Sequence, residues 1–305
     1  MPDRDSGRRA RYNRTPWFHH FGRRVDHRTC GRDHLGSLAN FLKNITKQQW
    51  KHKVRKDVSI FDTLDELSTA AAEAVLRIAK YTIEEQGVFR VALAGGSTSR
   101  RLYQVLSSTP YRSRTNWAAW SVYWGDERLV PLSHPDSNYG MTRKFLLAHV
   151  PIDENNIHPV PVSLGDGWLI ADEYEHILRE TTGTPTDGVP ALDLVLLGLG
   201  RDGHTASLFP GNPAVDETEC LVVETAPGSR PPLVERITTT LPLLNAARHI
   251  VFLVTGEDKA DAFRSAYHGV PLGEVTQVPA YLVRPADGSV HWFITRDTAS
   301  KCSAW

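Results

Sequence analysis

The segment LDLVLLGLGRDGHTASLFPG, residues 192–211, decides between two classes of α/β fold. An apolar run leads into a loop that has, from Gly198 onward, the G-x-G-x-x-G spacing of a dinucleotide-binding site. Such a site requires a helix directly after the third glycine, within a crossover of a dozen or more residues. Pro210 and Pro213 interrupt the chain too early for that helix. The segment therefore predicts a strand and a turn, and it argues against a nicotinamide or flavin site.

Apolar segments on both sides of this stretch predict a mainly parallel sheet. The predicted strands are Val88–Ala94, Trp120–Trp124, Leu192–Leu197, Leu221–Glu224, Ile250–Thr255 and Val290–Ile294. The predicted helices are one from a cap at Asp62 or Thr63 to a stop at Gly87, and others over Arg100–Ser107, Ala171–Arg179 and Glu257–Tyr267. Buried strands that alternate with helices are typical of a doubly wound, Rossmann-like α/β fold covered on both faces. We predict one such domain over residues 57–305.

Composition is that of a globular protein, but the charge is unevenly distributed. The chain has 305 residues, of which 41% are hydrophobic and 23% charged, enough for a sizeable core. Residues 1–56 hold 15 Lys and Arg against 4 Asp and Glu, whereas residues 57–305 hold 20 against 31. The predicted domain is therefore acidic, and the segment before it is basic.

The basic segment, residues 1–56, is predicted to be a poorly structured arm or an over-extended translation start. An organelle transit segment is disfavoured by four aspartates, because such segments are poor in acidic residues. A nucleic-acid-binding arm is a third interpretation, but no helix-turn-helix pattern is present, so no nucleic-acid partner is predicted.

Cysteine spacing and hydropathy bear on the compartment. Cys30, Cys220 and Cys302 are odd in number and far apart, so they predict neither a disulfide framework nor a zinc ribbon. We predict a reducing compartment, the cytoplasm. No apolar run approaches the roughly 18 residues of a membrane span, so no membrane partner is predicted.

Polar residues follow four of the predicted strands. In an open parallel sheet, ligands bind outside the carboxyl ends of the strands, so these four exits should meet at one edge. The exit at Gly95, Gly96, Ser97 and Thr98 precedes a helix, and its backbone N–H groups can hold a phosphate. It is not a P-loop, because the terminal G-K-[ST] is missing. The alternative is a plain tight turn with a helix cap.

The exit at Asp202-Gly203-His204 predicts acid–base chemistry. Histidine titrates near neutrality and can act as a general base, although a hydrogen-bonded structural histidine is the commoner role. A metal site is not predicted, because no second His or Cys stands at ligand spacing. A serine hydrolase is not supported either, since Ser207 lies in T-A-S-L-F and not in G-x-S-x-G.

These segments together resemble a known family. GGSTS, WGDER, LGLGRDGHTASLFPG, ERIT and GEDKA occur in the order typical of 6-phosphogluconolactonases, and the resemblance covers about residues 58–300. It implies a sugar-phosphate isomerase/deaminase-like α/β fold and hydrolysis of 6-phospho-D-glucono-1,5-lactone, the second step of the oxidative pentose phosphate pathway, without a metal or organic cofactor. The sequence departs from the family pattern at Ser99, Arg201 and Thr295.

Combined with the resemblance, the residues suggest a division of roles. The predicted catalytic residues are His204 as general base, Arg128 for substrate oxyanions, Asp126 to orient sugar hydroxyls or His204, and Asp202. The predicted substrate- and phosphate-binding residues are Gly95, Gly96, Ser97, Thr98, Asn138, Arg236 and Lys259.

Two other functions stay open at this point. One is a glucosamine-6-phosphate deaminase/isomerase-like enzyme, whose family has an acidic residue after the histidine turn where this chain has Ser207 to Pro210. The other is a non-enzymatic sugar-phosphate sensor with the basic arm on DNA. The sequence leaves the oligomeric state undetermined.

Overall fold

The computed structural model describes residues 55–302, except 186–187 and 229–231. The arm predicted over residues 1–56 therefore lies outside the described residues, apart from its last two positions. Those two positions, Arg55 and Lys56, begin the first strand. The strand therefore starts two residues before residue 57, the predicted start of the domain.

Nine strands are described, in two sheets. They are β1 (Arg55–Phe61), β2 (Phe89–Leu93), β3 (Trp120–Trp124), β4 (Asp126–Arg128), β5 (Leu194–Leu197), β6 (Val222–Thr225), β7 (Arg236–Thr239), β8 (His249–Val254) and β9 (Ser289–Thr295). The main sheet has the order β1-β9-β8-β5-β2-β3, and its neighbouring strands are parallel. This confirms the predicted mainly parallel α/β sheet.

The described helices are α1 (Leu64–Gln86), α2 (Ser97–Ser107), α3 (Asn138–Phe145), α4 (Gly167–Thr182), α5 (Leu241–Asn245), α6 (Ala260–His268) and α7 (Pro279–Leu282). Helix α1 begins as predicted, because the Thr63 hydroxyl accepts a hydrogen bond from the Glu66 amide at 3.1 Å. It ends at Gly87, whose φ of 79° suits glycine. In the part of the chain that the structure describes, no helix is both long and apolar enough to cross a bilayer.

The strand order reverses between β2 and β5. From β2 the chain proceeds to β3 on one side, whereas β5, β8 and β9 follow one another on the other side. Because such crossovers are right-handed, the two directions place their helices on opposite faces of the sheet. Ligands bind at the carboxyl ends of the strands where this reversal occurs. The topology therefore predicts that a ligand binds at the loops after β2 and β5.

A second, antiparallel sheet has the order β4-β7-β6, and the sequence did not predict it. Asp126–Arg128 reads as a loop because it is polar and only three residues long. It becomes a strand because it pairs with Arg236–Thr239, more than a hundred residues away. Local alternation in so short a segment cannot reveal such a partner.

A buried carboxylate joins the amino ends of the central strands. Asp193 has no exposed surface, and it accepts hydrogen bonds from the Arg90 amide at 2.8 Å and from Gln86 Nε2 at 2.7 Å. The guanidinium of Arg248 binds the same carboxylate. These contacts tie α1, β2 and β8 together at the edge opposite the reversal loops.

Replacing the buried Asp193 with alanine should destabilise the fold, because the part-buried Arg90 amide then loses its acceptor. A buried unsatisfied donor costs about 1–3 kcal/mol, and we expect the free energy of unfolding to fall by that amount. Glu84→Ala, which removes an exposed ion pair to Lys80, is the control and should change it by less than about 1 kcal/mol. Urea denaturation measures both, and equal values would contradict this role for Asp193.

Candidate active site

Three of the four predicted strand exits contact one another directly. The hydroxyls of Thr98, after β2, and Thr255, after β8, are 2.9 Å apart. The ammonium of Lys259 donates to the carbonyl of Leu199, after β5, at 2.7 Å. The loops after β2, β5 and β8 therefore form one edge, where the strand order reverses.

The fourth exit, at β4, joins this edge through Asp126. The carboxylate of Asp126 is buried and accepts hydrogen bonds from Ser207 Oγ at 2.6 Å and from Asn138 Nδ2 at 3.2 Å. Asn138 in turn packs on Gly95, where a Cβ atom would lie 2.0 Å from Asn138 Oδ1. Asp126 thus links the loop after β5 to the start of α3 and to the loop after β2.

The turn at residues 202–204 holds the imidazole of His204 against Asp202. Asp202 Oδ1 lies 2.5 Å from His204 Nδ1 and also accepts the His204 amide at 3.2 Å. Gly203 makes the turn possible with a φ of 83°. At the same edge of the ring, a Cβ atom at Gly200 would lie 2.0 Å from Nδ1 and 2.5 Å from Asp202 Oδ1. The contact between Asp202 and the imidazole therefore packs directly on the backbone of Gly200.

Ala206 has a φ of 48°, a strained conformation for a residue with a side chain. The neighbouring residues hold it there, since Thr205 Oγ1 donates to the Gly198 carbonyl at 2.9 Å. The Ser207 amide donates to Thr238 Oγ1, on β7, at 3.1 Å. Strain of this kind is found where the surrounding structure fixes a functional loop.

The Asp202–His204 pair is accessible to solvent. The two side chains are 34% and 31% exposed, so water and ligands reach them. Burial by itself would raise the pKa of Asp202, but the hydrogen bond and the charge of His204 outweigh it and hold that pKa below its usual range. The stabilisation that this gives is present above the usual range and is lost as the pH falls through the lowered pKa.

Arg128 and Arg236 stand directly opposite each other on β4 and β7. Like charges in this position repel. Burial lowers the pKa of Arg236; Asp126 nearby opposes this effect and Arg128 adds to it. Among the described residues, the buried Nε of Arg128 has no hydrogen-bond partner. Two close guanidinium groups with an unused donor suit an anionic oxygen.

The predicted phosphate loop lies at the start of α2. Gly96, with a φ of 98°, precedes the helix, and Ser97 is its first residue. The free N–H groups of a helix amino terminus attract anions. The structure brings Thr98, Asn138 and Lys259 to this edge, and it places Arg236 beside Arg128 on the small sheet.

Glu127 is a buried residue whose role the sequence did not indicate. Its carboxylate accepts hydrogen bonds from the amides of Arg128, Asn138 and Tyr139 at 2.7 to 2.8 Å and from the Ser137 hydroxyl at 3.0 Å. Burial raises the pKa of Glu127, and these hydrogen bonds offset part of the increase. The available signal was that the charged residues 126–128 directly follow the apolar segment WSVYW.

Ser207 is a second such residue. In the sequence analysis this residue entered only as a possible nucleophile, but it is fully buried and its hydroxyl donates to Asp126.

Among the described residues, no group of three or more His, Cys, Asp or Glu side chains is arranged to hold a metal ion.

Comparisons with known proteins show the family of the chain. Residues 62–292 match the family described as glucosamine-6-phosphate isomerases/6-phosphogluconolactonase. The chain belongs to this family. It is 36% identical over 259 residues to a probable 6-phosphogluconolactonase 1 of Arabidopsis thaliana, covering 83% of this chain and 96% of that protein. It is 40% identical over 218 residues to a 6-phosphogluconolactonase of Synechocystis sp., covering 72% and 86% respectively.

A solved family structure shows the same architecture. The 6-phosphogluconolactonase from Trypanosoma cruzi superposes with a TM-score of 0.74 at 30% identity, covering 83% of this chain and 98% of that one. The similarity confirms the sugar-phosphate isomerase/deaminase-like α/β fold.

The two glycines before the turn provide a test of the site geometry. Gly200→Ala should displace the His204 imidazole, because its Cβ would lie 2.0 Å from Nδ1, and overpacking should cost about 1–3 kcal/mol of stability. Gly198→Ala is the matched control, since nothing lies within 4 Å of its Cβ position and its φ is not positive. We expect the His204 imidazole NMR resonance, assigned by its loss in His204→Ala, to shift only in Gly200→Ala. A similar shift in both variants would refute the packing described.

Proposed function

We propose that this chain hydrolyses 6-phospho-D-glucono-1,5-lactone to 6-phospho-D-gluconate, with His204 as the general base. The observation that carries the proposal is the partly exposed Asp202–His204 pair at the strand reversal, on a loop that Ser207 ties to the arginine-bearing sheet through Asp126. Membership of the lactonase family supports the substrate and the reaction.

The Asp202 contact supports distinct roles for the two ring nitrogens of His204. With Nδ1–H donated to the Asp202 carboxylate, Nε2 carries the lone pair and can accept a proton from water. The water oxygen attacks the lactone carbonyl carbon while its proton moves to Nε2. Asp202 stabilises the imidazolium that results, because its lowered pKa keeps it ionised.

Arg128 is the proposed donor to the developing oxyanion. Its Nε is buried and unused, whereas one terminal nitrogen is anchored by the Asp136 carbonyl at 2.6 Å. When the tetrahedral intermediate collapses, the bond from carbon to the ring oxygen breaks. The imidazolium of His204 then returns its proton to that oxygen, and the open-chain acid leaves.

We propose that the substrate phosphate binds at the start of α2. The proposed residues for substrate and phosphate are Gly95, Gly96, Ser97, Thr98, Asn138, Arg236 and Lys259. Their support is the helix amino terminus after Gly96 and the contacts that bring Thr98 and Lys259 to the same edge. Asp126 is proposed to act mainly by positioning Ser207 and Asn138.

We further propose that the enzyme works in the cytoplasm as a single lactonase-like domain over residues 57–305, with no nucleic-acid or membrane partner. The continuous main sheet from β1 to β9 supports the single domain.

The alternative function, a glucosamine-6-phosphate deaminase/isomerase-like enzyme, has its own test. Release of ammonia from glucosamine 6-phosphate would favour that function over lactone hydrolysis.

His204→Ala should lower kcat by about 10²–10⁴-fold with little change in KM, because general base catalysis contributes that much. The measurement is a coupled assay with freshly made 6-phosphogluconolactone, corrected for spontaneous hydrolysis. His176→Ala, which changes an exposed histidine on α4, is the control and should behave like the wild type. Normal kcat in His204→Ala would remove this residue from the mechanism.

Lys259→Ala should mainly raise KM, since the lost charge weakens phosphate binding more than the chemical step. Lys80→Ala removes an exposed lysine of α1 and serves as the control. If KM is the same in both variants as in the wild type, Lys259 has no part in binding the phosphate.

A further inference from the structure

The aromatic ring of Phe209 contacts two groups that have separate roles in the proposed reaction. Its centroid lies 4.6 Å from that of the His204 imidazole, with the ring planes at 51°. The guanidinium carbon of Arg236 lies 5.9 Å from the same centroid. One side chain therefore borders both the proton-transfer group and a proposed phosphate-binding group.

The ring of Phe209 is itself held in place. A Cβ atom at Gly228 would lie 2.4 Å from Phe209 Cε1, so the ring packs directly on the backbone after β6. The carbonyl of Phe209 accepts the Asn212 amide at 3.0 Å. The loop after β5 thus presents the ring as a fixed wall of the site.

Asp202 alone does not fix the orientation of the imidazole. A single hydrogen bond at Nδ1 positions one edge of the ring but lets its plane tilt about that bond. The Phe209 ring restricts this tilt from one side. A displacement of about 1 Å in a reacting group can cost about 10²-fold in rate, so a contact of this kind affects kcat.

The guanidinium of Arg236 is also held by its neighbours, among them the ring of Phe209. Its Nε and one terminal nitrogen donate to the carbonyls of Val234 and Pro232, at 3.1 and 2.8 Å, which leaves the remaining donors for a ligand. The ring of Phe209 favours the guanidinium by a cation–π contact while Arg128 repels it.

We infer that Phe209 is a positioning residue that keeps His204 and Arg236 in a fixed relation, so that a phosphate bound by the proposed set of residues, of which Arg236 is one, aligns the imidazole with the lactone carbon. The inference rests on the function proposed above. Phe209 takes part in no bond-making step. Through Phe209, the binding energy of the phosphate orients the imidazole at the reacting centre. This contribution raises kcat and not only the affinity for the substrate.

The experiment compares Phe209→Leu, Phe209→Met and Phe209→Tyr with the control Phe61→Leu. Phe61 is also half-buried, but its ring stacks on Phe293 at 5.8 Å, at the far edge of the main sheet. Both kcat and KM are measured with 6-phosphogluconolactone and with the same lactone lacking its phosphate. Thermal unfolding of each variant accounts for any loss of stability.

We expect Phe209→Leu and Phe209→Met to lower kcat about 10-fold or more and to raise KM for the phosphorylated lactone. Phe209→Tyr, which keeps the ring, should retain near wild-type kcat, and so should Phe61→Leu. The ratio of kcat between the two lactones should be smaller without the ring, since the phosphate then no longer aligns His204.

A second readout is independent of activity. The His204 imidazole resonance should shift in Phe209→Met and stay in place in Phe209→Tyr, because only the former removes the aromatic ring current. An unchanged resonance, or unchanged kcat and lactone ratio in a folded Phe209→Met, overturns the inference. If His204→Ala has normal kcat, the proposed mechanism fails first; if it is inactive while Phe209→Met equals the wild type, the inference fails alone.

Discussion

The buried carboxylate of Asp126 is the contact on which the candidate site depends. It receives the hydroxyl of Ser207 from the loop after β5 and the amide of Asn138 from the start of α3. Buried carboxyl groups are costly unless they are hydrogen-bonded, so the oxygens of Asp126 have these partners only when both elements are in place. The histidine turn and the arginine-bearing sheet are thereby fixed relative to each other.

The site concentrates charge that the rest of the fold must tolerate. Arg128 and Arg236 face each other on paired strands, and the buried Glu127 next to them is held by four hydrogen bonds. Repulsion of this kind is unfavourable, and an anion that binds between the two guanidinium groups relieves it. An arrangement that costs stability without a ligand and favours an anionic ligand is typical of a binding site.

The strained backbone at Ala206 and the ring of Phe209 also help to fix the position of the His204 imidazole. Ala206 adopts a positive φ, and Ser207 and Thr205 hold it there through contacts to β7 and to the start of the loop. Asp202 aligns one edge of the imidazole, and the ring of Phe209 borders its face. A general base works only within hydrogen-bond reach of its proton, so orientation matters as much as basicity.

The sequence by itself determined the parallel sheet, a helix cap at Asp62 or Thr63 and the glycine-flanked turn of Asp202 and His204, because apolar periodicity, capping and turn chemistry are local. It could not show that Asp126–Arg128 is a strand, or that Ser207 binds a carboxylate 81 residues away. Only the tertiary structure decided these contacts, together with the place of Phe209 between His204 and Arg236. The reason is physical: the order of strands in the sheet, and not distance along the chain, sets which side chains meet.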